Sequence, residues 1–257
     1  MQEQLILKAK NVRKSYGSKQ HQVEVLKGID LAIEEGEFVG IMGPSGSGKT
    51  TLMNVLATID RATSGSILIN RTEISTMKEK ELSLFRRNEL GFIFQDYNLL
   101  DTLSVKENIL LPVSLGKEKK ASIESRYQTI VSTLGMKEHE DKFPSQLSGG
   151  QKQRTAASRA LINEPSMIFA DEPTGALDSK SASALLESLE AVNRTNGTTI
   201  LMVSHDPLAS SYCSRVIFLR DGQVYSELRR GNETRQAFFQ EILKVQGMLG
   251  GEVVDTI

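Results

Sequence analysis

Five short apolar runs punctuate the chain: "FVGIM" at 38–42, "LGFIF" at 90–94, "MIFA" at 167–170, "TTILMV" at 198–203 and "RVIFL" at 215–219. Each is too short for a buried helix and ends in polar or glycine residues, so each predicts a strand covered on both faces. Amphipathic segments lie between them. "KTTLMNVLATI" repeats Leu52, Val55, Leu56 and Ile59 at helical spacing. The 121–135 stretch does the same with Ile123, Tyr127, Ile130, Val131 and Leu134, and "QKQRTAASRALI" and "SKSASALLESLEAVNR" read as two further helices. Buried strands alternating with helices predict an α/β fold with a mostly parallel sheet. Outside that pattern, "LILKAKNV" and "VEVLKGIDLAI" alternate as half-buried strands, and "TSGSILINRTEI" reads as a strand after a glycine turn. "RVIFLRDGQVY" predicts a hairpin around Asp221-Gly222. "DYNLLDTLSVKENILLP" (96–112) is apolar but irregular. Its Tyr97, Leu99, Leu100 and Leu103 are expected to line a groove for another chain. In the tail, Phe238, Ile242, Val245 and Leu249 share one helical face, with packing on the chain's own core as the default.

Composition narrows the field. The chain has 257 residues, a formal net charge of -1 and no tryptophan, so neither bulk attraction to nucleic acid nor a stacking platform for it is expected. The one cysteine, Cys213, precedes an apolar run and is expected to be buried and inert; a cytosolic chain is expected. "MQEQLILKAK" lacks the pattern of a secretory signal, and no apolar stretch approaches the ~18 residues that cross a bilayer. In a membrane process, another chain is expected to supply the membrane part. No repeat or low-complexity linker is visible, and His21 and His139 read as surface residues.

The chemistry sits at the ends of the apolar runs. "GPSGSGKT" (Gly43, Pro44, Ser45, Gly46, Ser47, Gly48, Lys49, Thr50) is a full phosphate loop between a buried strand and a helix. Backbone N–H groups and the helix N-terminus suit a β-phosphate, Lys49 suits the β- and γ-phosphates, and the Thr50 hydroxyl suits Mg²⁺. "MIFADE" ends a strand in Asp171, suited to Mg²⁺, and Glu172, suited to deprotonating water. Gln95 and His205 end two other runs, on the sheet edge where α/β folds bind ligands. Tyr16, before a glycine turn, is either an adenine platform or partial core. "LSGGQ" at 147–151 resembles half a phosphate site without a lysine.

With "LSGGQ" followed by "DEPTGALD", the chain resembles the ATP-binding subunit of ABC transporters over nearly its whole length. The resemblance implies a P-loop NTPase of α/β class: an ABC-type nucleotide-binding domain with an antiparallel β subdomain and an inserted helical subdomain. The implied division is core and β subdomain at 1–95 and 161–225, helical subdomain at 96–160, and a C-terminal helical extension at 226–257. It implies Tyr16 as the aromatic that stacks on adenine, with Gly43–Thr50 and Thr51 as phosphate-binding residues. It implies Gln95 as the Q-loop residue and a Mg²⁺ ligand beside Thr50 and Asp171. Glu172 becomes the base, with Lys49, Gln95 and His205 assisting. Leu147, Ser148, Gly149, Gly150, Gln151 and Asp178 become the set that meets ATP held by a second copy. "FIFQDYNLLDTLSVKENILLP", "IFADEPTGALDSKSA" and the long tail are similar to Bce-type subunits within the MacB- and LolD-like group. That implies ATP and Mg²⁺ as cofactors, and a membrane permease and a sensor histidine kinase as partners. It implies a place on the cytoplasmic face of the membrane and a role in resistance to peptide antibiotics such as bacitracin, or in sensing them. Other MacB-, LolD- or FtsE-like work is the alternative. Thr155, Ser158 and the "NRTE" turn depart from common patterns without touching a phosphate ligand.

Overall fold

The computed structural model describes residues 4–18, 21–114, 116 and 118–250. Two sheets form it. A six-stranded sheet has the order β10-β9-β3-β8-β7-β6, made of β3 (Phe38–Met42), β6 (Leu90–Phe94), β7 (Met167–Asp171), β8 (Thr199–Val203), β9 (Arg215–Arg220) and β10 (Gln223–Arg229). All its neighbours run parallel except the β9–β10 hairpin. An antiparallel sheet joins β1 (Leu5–Tyr16), β2 (Val23–Glu34), β4 (Ser64–Ile69) and β5 (Thr72–Glu73) in the order β2-β1-β4-β5.

The apolar runs are continuous because the parallel sheet separates two cores. Val39, Ile41, Phe169, Leu201, Val203, Ile217 and Leu219 face α1 (Lys49–Leu56) and the alternating side chains of β1, β2 and β4. Phe38, Met42, Ile168, Ala170, Ile200, Met202, Val216 and Phe218 face the opposite way. There they meet α3 (Val105–Ser114), α4 (Lys120–Thr133), α5 (Gly149–Leu161), α6 (Ser179–Asn196), α7 (Pro207–Ser210) and α8 (Arg235–Gly250). Alternation at period two sends successive residues to opposite cores, so neither set can be polar.

The predicted hairpin forms, with Asp221 (φ 51°) and Gly222 (φ 79°) both left-handed. Asn70 (φ 45°) and Arg71 (φ 63°) make the same kind of turn between β4 and β5, so "NRTE" works without a glycine. Thr155 and Ser158 are buried, and their hydroxyls donate to carbonyls one turn back, at Gln151 and Arg154. The tail packs on its own domain: Phe238, Ile242 and Leu249 are buried in the second core and Val245 leans on it. The end of the expected extension, 251–257, lies outside the described residues.

Two helices are not apparent from periodicity. α2 (Glu79–Glu89) buries only Leu82 and Phe85, and its acidic start and basic end suit the helix dipole. α3 carries Pro112 and a fully buried Asn108, which break its apolar stripe. The Asn108 amide spans a gap in the backbone, accepting from the Leu100 N–H and donating to the carbonyls of Leu100, Leu103 and Ser104. The groove beside α2 and α3 is lined by Leu90, Phe92, Phe94, Asn98, Leu111 and Pro112, a cavity of about 460 Å³. Tyr97, Leu99, Leu100 and Leu103 are not among the residues that line it. Tyr97 and Asn98 are instead left-handed (φ 61° and 48°), with their carbonyls held by Arg159.

Candidate functional site

The sheet register collects the candidate residues. Phe94 pairs with Asp171, Asp171 with Val203, and Val203 with Ile41. Gln95, Glu172, His205 and the phosphate loop therefore all leave the sheet at one edge. The loop reaches α1 through Gly48, whose left-handed φ of 99° serves as the helix N-cap. At Gly43 a Cβ would fall 2.2 Å from the Leu219 carbonyl oxygen, so only glycine lets the strand turn there. Pro44, Ser45 and Gly46 are exposed, Ser47 and Gly48 are buried, and Thr50 and Thr51 open the helix. The buried Ser47 hydroxyl has no partner.

Lys49 donates to the carbonyls of Gly43 and Pro44, both at 2.9 Å. Burial lowers its ammonium pKa, against the pull of Glu172 and Asp171. Burial raises the Asp171 carboxyl above the usual range; Glu172 adds to the rise and Lys49 opposes it. One buried oxygen of Asp171 has no hydrogen-bond partner among the described residues. A buried carboxylate oxygen without a donor is an apt ligand for a hard divalent cation. Glu172 sits at φ 45°, a strained value for a non-glycine residue, and its N–H donates to the Val203 carbonyl. That turn brings its carboxylate 2.8 Å from Nδ1 of the exposed His205. Gln95 is exposed and packs beside Gly175.

Tyr16 is outside the core, so the platform reading fits it better. It is 43% exposed, and its hydroxyl donates to Asp60 at 2.7 Å. Lys14 lies 4.6 Å from the ring centroid and also donates to Asp60 and to the Arg61 carbonyl. Burial and the Asp60 carboxylate raise the Tyr16 phenol pKa. Burial works to raise Asp60, but the bonds from Lys14 and Tyr16 carry it below the usual carboxylate range.

The "LSGGQ" segment forms a second centre. Leu147 is buried, and the exposed Ser148 caps α5, its hydroxyl accepting from the Gln151 N–H. Gln151 Oε1 accepts from the Ser148 N–H in return, at 2.9 Å. Gly149 and Gly150 form the first helical turn, and a Cβ at Gly150 would come 3.0 Å from Ser181. Asp178 caps α6, accepting from the N–H groups of Lys180 and Ser181 and from the Ser181 hydroxyl, which hold its carboxyl pKa low. Among the described residues, no hydrogen bond or ion pair joins 147–151 to 43–50.

Three contributors escape sequence reasoning. Asp60 orders Tyr16 from a turn without periodic signal. Gln153, fully buried on α5, donates to the Phe94 carbonyl just before Gln95. His139 corrects the surface reading: it is half-buried, with Nε2 3.0 Å from the Gln151 amide. Cys213 is buried as expected, and burial pushes its thiol pKa up.

Among the described residues, no helix is long and apolar enough to cross a membrane. The family model for ABC transporters matches residues 26–175. The chain is 59% identical to the bacitracin export ATP-binding protein BceA of Halalkalibacterium halodurans, over 96% of this chain and 97% of that one. It is 43% identical to the macrolide export ATP-binding/permease protein MacB of Neisseria meningitidis, over 89% of this chain and 35% of that one. The ATP-binding cassette MJ0796, solved as a dimer with ADP and Pi after hydrolysis, superposes with a TM-score of 0.78 at 38% identity, covering 87% of this chain and 98% of that one. The chain belongs to the ABC transporter ATP-binding family and is an ABC-type ATPase.

Proposed function

We propose that this chain is the ATPase of a transporter protecting cells against envelope-targeting peptide antibiotics such as bacitracin. It acts through a separate permease, on the cytoplasmic face of the membrane. The substrate class rests on 59% identity along 96% of the chain to a protein named for bacitracin export. The test is bacitracin susceptibility of a host lacking its own transporter, supplied with the cognate permease and either the native subunit or Glu172→Gln. Protection with the first alone supports the reading. Protection with neither counts against it. An antibiotic-triggered kinase response without protection would mark a sensing module instead.

The chain operates as a two-site dimer. The observation that carries this is the separation of its two anion-binding centres, each a helix N-terminus and unconnected within one chain. Tyr16 stacks on adenine, and residues 43–51 cradle the phosphates. Lys49 exchanges its two loop carbonyls for β- and γ-oxygens. Thr50, Gln95 and Asp171 would hold Mg²⁺, which would neutralise phosphate charge. Glu172 accepts the proton of the attacking water, oriented by His205. Ser148, Gly149 and Gly150, with Leu147, Gln151 and Asp178 around them, offer donors to the γ-phosphate held by the other copy. Such donors count for more once closure excludes water. The 96–160 segment, as a helical subdomain, carries that second centre.

A further inference from the structure

The half-buried His139 has two unusual features: it touches the signature glutamine, and its other ring nitrogen is buried without a partner among the described residues. The first fixes its chemical form. Gln151 Oε1 is occupied by the Ser148 N–H, so the amide can present only its NH₂ group to the ring. A donor facing Nε2 requires a lone pair there, and the proton then lies on Nδ1. His139 Nε2 is thus the acceptor in this contact.

The support behind the ring is backbone. The His139 N–H donates to the Met136 carbonyl, and the Lys142 N–H donates to the His139 carbonyl, both at 3.0 Å. The same turn accepts from the first helical N–H groups of α3, Val105 to Lys142 and Lys106 to Glu140. A continuous chain of hydrogen bonds therefore runs from the start of α3 through His139 and Gln151 to the Ser148 backbone. Ser148 lies at the exposed tip that meets the other copy in the proposed dimer. A glutamine with both ends engaged loses no rotamer freedom when that tip binds phosphate.

We propose that His139 is a positioning residue for the signature: it holds Gln151, and through it the Ser148 backbone, in the geometry that receives the partner copy's γ-phosphate. This rests on the two-site dimer reading. It assigns the γ-phosphate geometry to a residue outside "LSGGQ".

The test uses the full chain with Glu172→Gln, so that ATP-driven dimers persist, and measures dimerisation by light scattering against protein concentration. His139→Leu keeps volume and loses the acceptor; His139→Gln places an amide oxygen near the Nε2 position. Loss of one hydrogen bond at each of two equivalent sites is expected to weaken dimerisation by about ten- to a hundredfold in His139→Leu. His139→Gln is expected to restore it to near the parent value. ATP affinity of the monomer should stay the same in both, and the unfolding temperature should fall by no more than a few degrees in His139→Leu. If His139→Leu fails to fold, His139→Asn, whose amide is too short to reach Gln151, takes its place. Dimerisation of the acceptor-less variant at the parent strength, or no rescue by glutamine, would overturn the inference. Ser148→Asp is the control for the parent reading: aspartate keeps the cap and sets a negative charge against the phosphate. Normal dimerisation of that control would defeat the dimer reading itself, whereas a blocked control with an unaffected His139→Leu would defeat only the role of His139.

Discussion

The two anion-binding centres of this chain are built on different principles. The phosphate-loop centre hangs on a sheet edge, where four parallel strands in register bring Gly43, Gln95, Glu172 and His205 together. The signature centre sits at the N-terminus of α5, its exposed end tied by side chains: Gln151 to Ser148, His139 to Gln151, and Ser181 against Gly150. The first is fixed by two hydrophobic cores and resists displacement. The second also rests on a core, through the buried Leu147 and the inner face of α5, but its exposed tip at Ser148 is set by a few hydrogen bonds, each contributing about 0.5–1.5 kcal/mol. On the proposed reading, chemistry belongs to the first centre and control of closure to the tip of the second.

The sharpest way to break this contrast is to remove the base. Glu172→Gln should slow hydrolysis by roughly 10²–10⁴-fold while leaving ATP affinity nearly unchanged, read by phosphate release and by equilibrium nucleotide binding. Hydrolysis at the native rate would take the base role away from Glu172. Lys49→Ala should instead weaken ATP binding itself, in the same binding assay. A packing change comes next. Phe238→Ala should destabilise the fold by about 3–5 kcal/mol in denaturant titration, because α8 seals the core behind the sheet. Lost dimerisation with unchanged stability would make α8 an interface instead.

The smallest expected effect is on pH dependence. The Asp171 carboxyl pKa is raised in the folded protein, chiefly by burial. The folded state therefore holds this proton to higher pH than the unfolded chain, and loses that relative stability as pH rises through the raised value. Asp171→Asn should raise the unfolding temperature of the nucleotide-free protein at neutral pH. The gain should fade as pH falls below the ordinary aspartate range. The same substitution should weaken Mg²⁺-dependent hydrolysis. A gain independent of pH would mean that desolvation of the carboxylate is not its source.

The contrast also explains what could be read from sequence. The parallel strands, α1, α4, α5, α6 and the tail follow from apolar period, because each buries a continuous stripe. The phosphate loop and "MIFADE" are legible because their spacing is dictated by phosphate geometry. α2 is illegible because Leu82 and Phe85 alone anchor it, and α3 because Pro112 and Asn108 interrupt its stripe. His139, Asp60 and Gln153 act through single hydrogen bonds across 12 to 59 residues of chain, which leave no periodic trace. Around Tyr97, Leu99, Leu100 and Leu103, likewise, the backbone is organised by Arg159 and Asn108 through contacts without a periodic trace.

The central claim is that one copy's signature completes the other copy's phosphate site. Glutamate at Gly150 is a poor probe, because any side chain there meets Ser181 of its own chain. Ser148→Asp preserves the helix cap and is the better lesion. Lys49→Ala and Ser148→Asp should each be inactive alone. Mixed in one complex, the sound signature of the first faces the sound phosphate loop of the second, leaving one complete site and one doubly damaged site. The direct measurement is single-turnover ATP hydrolysis by that mixture. The account predicts hydrolysis clearly above either parent variant. Hydrolysis no higher than in the parents, with ATP shown to occupy the intact phosphate loop, would contradict it.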